Sequence, residues 1–134
     1  MRTIAITCLT AFLASSLPAL AAGKKPDLSK LPPAADRKEV TFDREIKPIL
    51  GMDCVKCHGP EKQKGRLRFD SREATLKGGE HGKVVTPGKS AESKLVHAVA
   101  RLNEDEAMPP AGKGEPLTPA QVGMIRAWID QGAK

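Results

Sequence analysis

Apolar side chains recur along the chain at helical spacing and never at sustained alternation. Phe42, Ile46, Ile49 and Leu50 fall at i, i+4, i+7 and i+8, which predicts a helix with one buried face. Thr41 is its expected N-cap, Asp43 suits its first turn, and Pro48 should kink or shorten it. Asp70-Ser71-Arg72-Glu73 resembles a capping box with Asp70 as the cap, opening a short helix that Gly78-Gly79 closes. Ser90 is the expected cap of a third helix, with Leu95, Val96, Val99 and Leu102 on its buried stripe. Thr118-Pro119-Ala120-Gln121 is the strongest start signal: a cap, a proline at the first helical position and a glutamine to close the box. Val122, Ile125, Trp128 and Ile129 then form an apolar face, and Gly132 ends the helix. The expected fold is all-α, four short helices joined by long Gly/Pro-rich connections.

The N-terminus has a different pattern. Arg2, the apolar stretch Ile4 to Leu17 and the small-x-small site Ala19-Leu20-Ala21 read as a cleavable signal peptide over residues 1–21. The apolar stretch is shorter than the ~20 residues a spanning helix needs, and no other apolar run could cross a bilayer. Export to the periplasm is the expectation. Residues 22–38 (AGKKPDLSKLPPAADRK) have no apolar period and read as a flexible leader, leaving 39–134 as one domain.

Composition changes this picture in one respect. Of 134 residues 40% are hydrophobic, but only Phe12, Phe42, Phe69 and Trp128 are aromatic, and Phe12 lies in the signal. Aromatic side chains usually supply large blocks of core surface. A small domain with three of them is under-filled unless something other than side chains occupies its centre.

Cys54-Val55-Lys56-Cys57-His58 supplies a candidate. On a helical turn, positions i and i+3 project to the same side, so two thiols reach one flat ligand and the following histidine faces its middle. That is the attachment pattern of a c-type haem, with two thioether bonds and one imidazole on iron. Cys8 leaves with the signal, so Cys54 and Cys57 are the only cysteines of the exported chain. A redox or disulfide Cys-x-x-Cys pair would want a βαβ setting and leaves His58 unexplained. A zinc site from Cys54, Cys57, His81 and His97 has a longer Cys-to-His gap than common finger spacings.

The second axial ligand is sought among His81, His97, Met108 and Met124. Met108 precedes Pro109-Pro110 in a Pro/Gly-rich loop, where a rigid backbone can hold a thioether. Met124 lies on the fourth helix and reads as core. His97 lies beside the apolar stripe of the third helix, and His81 sits in a glycine turn open to solvent.

The order of motifs resembles the planctomycete-type cytochrome c domain, a branch of the class I-like cytochromes c. The blocks are Phe42-x3-Ile46-x-Pro48-Ile49-Leu50, Cys54-x2-Cys57-His58-Gly59-Pro60, Gly65-x-Leu67-x-Phe69-Asp70-Ser71-Arg72, Lys77-Gly78-Gly79, Pro87-Gly88, Ser93-x-Leu95, Met108-Pro109-Pro110 and Trp128-Ile129-x2-Gly132-Ala133. The resemblance spans about Val40 to Ala133. It implies a cytochrome c-like fold wrapped around one covalent haem c at Cys54 and Cys57, axial ligands His58 and Met108, and the role of an electron-transfer protein rather than an enzyme. His81 and His97 match no position of the pattern. Many relatives carry the domain as one module of a larger protein.

With both axial positions filled by the protein, one-electron transfer is the expected chemistry, as a soluble carrier or as a haem subunit of a redox complex. The alternatives are a haem peroxidase or ligand sensor with a labile Met108, and a non-haem thiol or zinc module. Glu104-Asp105-Glu106 is either a solvated run or, if near the haem, a stabiliser of the ferric charge. The chain carries 22 Lys and Arg against 16 Asp and Glu, a net charge of +6. Lys56, Lys62, Lys64, Arg66 and Arg68 cluster around and after the haem motif. They read as a solubilising surface or as a docking patch for a redox partner with an acidic face; Arg66 or Arg68 could also pair with haem propionates. Export and the lack of interleaved aromatics argue against nucleic acid.

Overall fold

The computed structural model describes residues 25–51 and 53–134. The expected signal peptide lies outside the described residues. Four α-helices are present among the described residues, α1 (Lys47–Gly51), α2 (Arg72–Lys77), α3 (Lys94–Val99) and α4 (Pro119–Asp130). Short 3-10 turns at Leu28–Lys30, Lys64–Arg66, Ser90–Glu92 and Glu104–Glu106 punctuate the connections. Extended pairing among the described residues is limited to two isolated bridges, His58 with Gln63 and Gly79 with Gly82. The architecture is all-α, as the spacing predicts.

The first helix starts wide. Phe42–Ile46 is a π turn, closed by the Lys47 N–H on the Phe42 carbonyl, and the chain tightens to α only at Lys47. The wide turn lies directly before Pro48, which has no N–H to donate back into it. Thr41 holds the N-cap position in extended conformation, but its side chain caps nothing. The roles are reversed: Glu45 reaches back to accept from the Thr41 N–H at 2.8 Å and from its hydroxyl at 3.1 Å.

Two other expected caps are corrected in the same way. Ser71, not Asp70, caps α2, its hydroxyl accepting from the Ala74 N–H at 3.2 Å. Asp70 turns to Arg68 instead. Ser90 does not cap α3, which begins after Ser93. Its N–H and hydroxyl both donate to the Asp130 carboxylate, at 2.8 and 2.9 Å, tying the turn before α3 to the end of α4. Leu102 falls beyond α3 and is half-buried. The α4 expectation holds in full: Thr118 and Gln121 form a reciprocal capping box with Pro119 at the first position, and Gly132 leaves the helix at φ +92°.

α4 is the spine of the core. Val122, Ile125, Trp128 and Ile129 are all at most 2% exposed. Trp128 meets Phe42 with ring centroids 5.6 Å apart and planes at 54°, a tilted pair that joins the first and last helices. Its indole N–H donates to the main-chain oxygen of Lys134 at 2.8 Å. Ile46, Leu50, Val96 and Val99 complete the apolar centre. Phe69 is buried as well, so all three aromatics of the domain are inside.

The flexible-leader expectation is corrected for the second half of residues 22–38. Pro32 accepts through its carbonyl from the Arg126 guanidinium, the Ala35 N–H donates to the Gly123 carbonyl at 2.9 Å, and the Arg37 carbonyl accepts from the Gln131 amide at 2.7 Å. Arg37 also pairs with Glu45 at 3.0 Å. This strap needs no apolar period because it is bound to α4 mainly through its main chain.

Candidate functional site

α1 ends at Gly51, and a hydrogen-bonded turn from Asp53 onward carries Cys54, Cys57 and His58. The Cys54 carbonyl accepts twice, from the N–H of Cys57 at 3.1 Å and from that of His58 at 2.8 Å. The turn is irregular rather than a continuation of α1, yet it holds the two thiols three residues apart on one loop of backbone. Both cysteines are half-buried and not joined by a disulfide.

A second loop locks behind it. The Lys64 N–H donates to the Cys57 carbonyl at 2.9 Å, the Gly59 N–H to the Lys62 carbonyl at 2.8 Å, and the Phe69 N–H to the His58 carbonyl at 2.8 Å. Reversal immediately after His58 requires glycine at 59, since a Cβ there would sit 2.4 Å from the Val55 carbonyl oxygen. His58 is thus held by its backbone on both sides. Its ring is held too: Nδ1 lies 2.9 Å from the Lys64 carbonyl, and Phe69 packs edge-on at a centroid distance of 5.3 Å.

A carbonyl can only accept, so Nδ1 must carry the proton and the lone pair of the neutral ring lies on Nε2. Burial holds the His58 imidazole below the usual histidine range, against the carbonyl bonds that favour the cation. The ring is therefore a neutral donor with its tautomer set. Burial also pushes the Cys54 thiol up, and the adjacent Asp53 carboxylate adds to the shift. Asp53 is itself held below the carboxylate range, first by its hydrogen bond from Lys56 at 2.7 Å.

Met108 comes from the other side of the chain. It follows the Glu104–Glu106 turn, and it and Leu28 are the only large apolar side chains exposed among the described residues, Met108 at 37%. The structure unites Cys54, Cys57 and His58 on one turn; Met108 stands exposed on a separate loop. A shallow cleft of about 390 Å³ beside that loop is lined by Arg101, Pro109, Pro110 and Glu115, and by none of the Cys/His turn. The other ligand candidates are otherwise engaged. His97 places Nε2 2.7 Å from the Ala91 carbonyl, His81 projects into solvent beside Glu80, and Met124 packs against the core. No group of three or more His, Cys, Asp or Glu among the described residues is placed to hold a metal ion.

The basic cluster is also partly spoken for. Lys56 is paired with Asp53, and Arg68 is gripped by both Asp70 oxygens at 2.9 and 2.6 Å. This pairing holds Asp70 below its usual range and raises Arg68, and it takes Arg68 out of consideration for a propionate. Lys62, Lys64 and Arg66 are exposed and within ion-pair distance of no acid among the described residues.

The sequence carries no sign of the Lys64 carbonyl as the partner of His58, because any residue supplies that atom. Asp53 is likewise unremarkable until the turn brings it to Lys56.

Residues 54–112 match the family model described as planctomycete cytochrome C. No curated protein and no solved structure matches the chain. The match begins at Cys54 and stops short of α4, so it covers the candidate site and Met108 but neither partner of the Phe42–Trp128 contact. Over that stretch the chain is similar to the planctomycete-type cytochrome c domain. The donor set suits the haem of such a domain: two unpaired thiols on one turn, a neutral imidazole with Nε2 unprotonated, and an exposed methionine.

Proposed function

We propose that this chain is a planctomycete-type cytochrome c domain that binds one haem c through Cys54 and Cys57, with His58 and Met108 as axial ligands, and transfers single electrons in the periplasm. The observation that carries the reading is the Nδ1 bond of His58 to the Lys64 carbonyl. Iron-bound histidines commonly donate their second ring N–H to a carbonyl or carboxylate, which fixes the ring and strengthens the ligand. Here that partner is supplied within the turn that presents both thiols.

The haem supplies the Fe(III)/Fe(II) couple. The chain's residues fix the conditions under which it operates. Cys54 and Cys57 tether, His58 arrives neutral and oriented, and Phe69 shields the edge of its ring. A thioether at Met108 favours the reduced state relative to a second imidazole. With both axial positions filled from the chain no coordination site is left for a substrate, which supports a carrier or a haem subunit over an enzyme. Among the described residues no helix is long and apolar enough to cross a membrane. Lys62, Lys64 and Arg66, beside the proposed site, favour a redox partner with an acidic face. Electron-transfer rates that fall with added salt are the expected result, and salt-independent rates count against it.

The test is an absorption spectrum and a pyridine haemochrome assay on protein exported alongside a haem-attachment system. One haem per chain and a low-spin spectrum with the methionine–iron charge-transfer band are expected. Met108→Ala should abolish the band; its survival would refute the ligand assignment. The 37% exposure of Met108 favours one second reading, a ligand sensor or peroxidase in which this ligand leaves the iron. A spectrum altered by carbon monoxide or peroxide would select it.

A further inference from the structure

The end of α3 carries a residue that its backbone does not favour. Arg101 adopts φ +55°, in the left-handed region. Its N–H donates to the Ala98 carbonyl at 3.1 Å and the following Leu102 N–H to the His97 carbonyl at 3.1 Å. This is the pattern of a Schellman helix end, whose left-handed position is normally glycine's. A non-glycine residue kept there against its backbone preference invites the question of what its side chain does.

The side chain reaches the Met108 loop. The Arg101 guanidinium donates to the Pro109 carbonyl at 3.0 Å. One residue earlier, the Met108 N–H donates to the Ala98 carbonyl at 3.0 Å, the same oxygen that accepts from Arg101. Two hydrogen bonds, Met108 N–H to Ala98 and the Arg101 guanidinium to Pro109, therefore hold the Met108-Pro109 backbone to the end of α3, one on each side of the thioether's attachment point. We infer that Arg101 is a positioning residue for Met108, clamping the loop so that the thioether is presented rather than left to swing. The inference rests on Met108 being the axial ligand, as proposed above. The clamp acts on the loop alone: Arg101 is exposed and touches none of Cys54, Cys57 or His58 through a hydrogen bond.

Exogenous imidazole, which competes with a methionine for ferric iron, reads the clamp directly. The holoprotein is titrated as wild type, Arg101→Gly, Arg101→Lys and Met108→Ala. Glycine suits the backbone at 101, so Arg101→Gly removes the guanidinium without adding strain and should melt no lower than wild type. It should nevertheless bind imidazole about fivefold more tightly, the equivalent of about 1 kcal/mol of lost loop closure. Arg101→Lys, which can still donate to Pro109, should recover part of the difference. Equal imidazole affinity in wild type and Arg101→Gly would overturn the clamp and leave the ligand assignment standing. A Met108→Ala protein that keeps the charge-transfer band and binds imidazole like wild type would overturn both.

Discussion

The two proposed axial ligands are held in opposite ways. His58 is fixed by its N–H, its carbonyl and its ring nitrogen, within a stretch where Cys57 bonds to Cys54, Lys64 to Cys57 and Gly59 to Lys62. Met108 stands on an exposed loop, and two hydrogen bonds to its own and the next residue's backbone secure it. The helical segment that precedes this stretch is anchored by Phe42 on Trp128, with both rings at most 1% exposed. Behind Met108 lies the Glu104–Glu106 turn, whose acids are all exposed. Local stability differs between such regions because opening free energy follows buried apolar contact and protected hydrogen bonds. One side of the site is built into the fold, and the other is attached to it.

Substitutions can break or sharpen this contrast. The largest effect is expected from Trp128→Ala, which removes the centre of the rigid side and should cost about 4 kcal/mol in urea unfolding. Gly123→Ala comes next. A Cβ at 123 would lie 2.7 Å from the Pro33 carbonyl, so the strap must lift from α4, at about 2 kcal/mol in the same measurement. A Gly123→Ala protein as stable as wild type would show that the strap adds nothing to the rigid side. Thr118→Ala deletes one half of the α4 capping box and should cost about 1 kcal/mol.

A smaller, pH-dependent loss is expected at Glu45. Hydrogen bonds from Thr41, with Arg44 and Arg37 nearby, hold its carboxyl below the usual range. A folded-state pKa below the unfolded one gives stability that is complete above the unfolded value and is lost as the pH falls through the folded one. Wild type should therefore lose more stability than Glu45→Gln between neutral pH and the carboxylate range, seen as converging urea midpoints. Parallel pH profiles would contradict this. The smallest effect belongs to the loop side: replacing Glu104, Asp105 and Glu106 together by amides should move the unfolding free energy by no more than about 0.5 kcal/mol. The potential of the same variant should rise if those acids stabilise the ferric charge. A large loss of stability would mean that the loop is as integral as the base.

What was legible in the sequence follows the range of the interactions. The α4 start is written in four consecutive residues, because a capping box uses only neighbours. Cys54, Cys57 and His58 are legible for the same reason, and so are the buried faces carried by Phe42, Ile46, Leu50 and Trp128. The failures are residues with two possible partners. Asp70 could cap α2 or meet Arg68, and Ser90 could cap α3 or meet Asp130. In both cases the second option won, and the cap was taken by the neighbouring Ser71 or by none. Asp130 lies 40 residues from Ser90, and nothing in the spacing announces that bond.

The sequence by itself determined the helical class and the thiol–imidazole turn, and it singled out Met108 as the loop candidate, since these depend on residue identity and short spacing. Tertiary structure alone decided which carbonyl holds His58, that residues 32–37 lie against α4, and that Arg101 returns to the Met108 loop. The physical reason is common to all three. Each uses main-chain oxygens or amides, which every residue carries alike, so only the folded path of the chain distinguishes one from another.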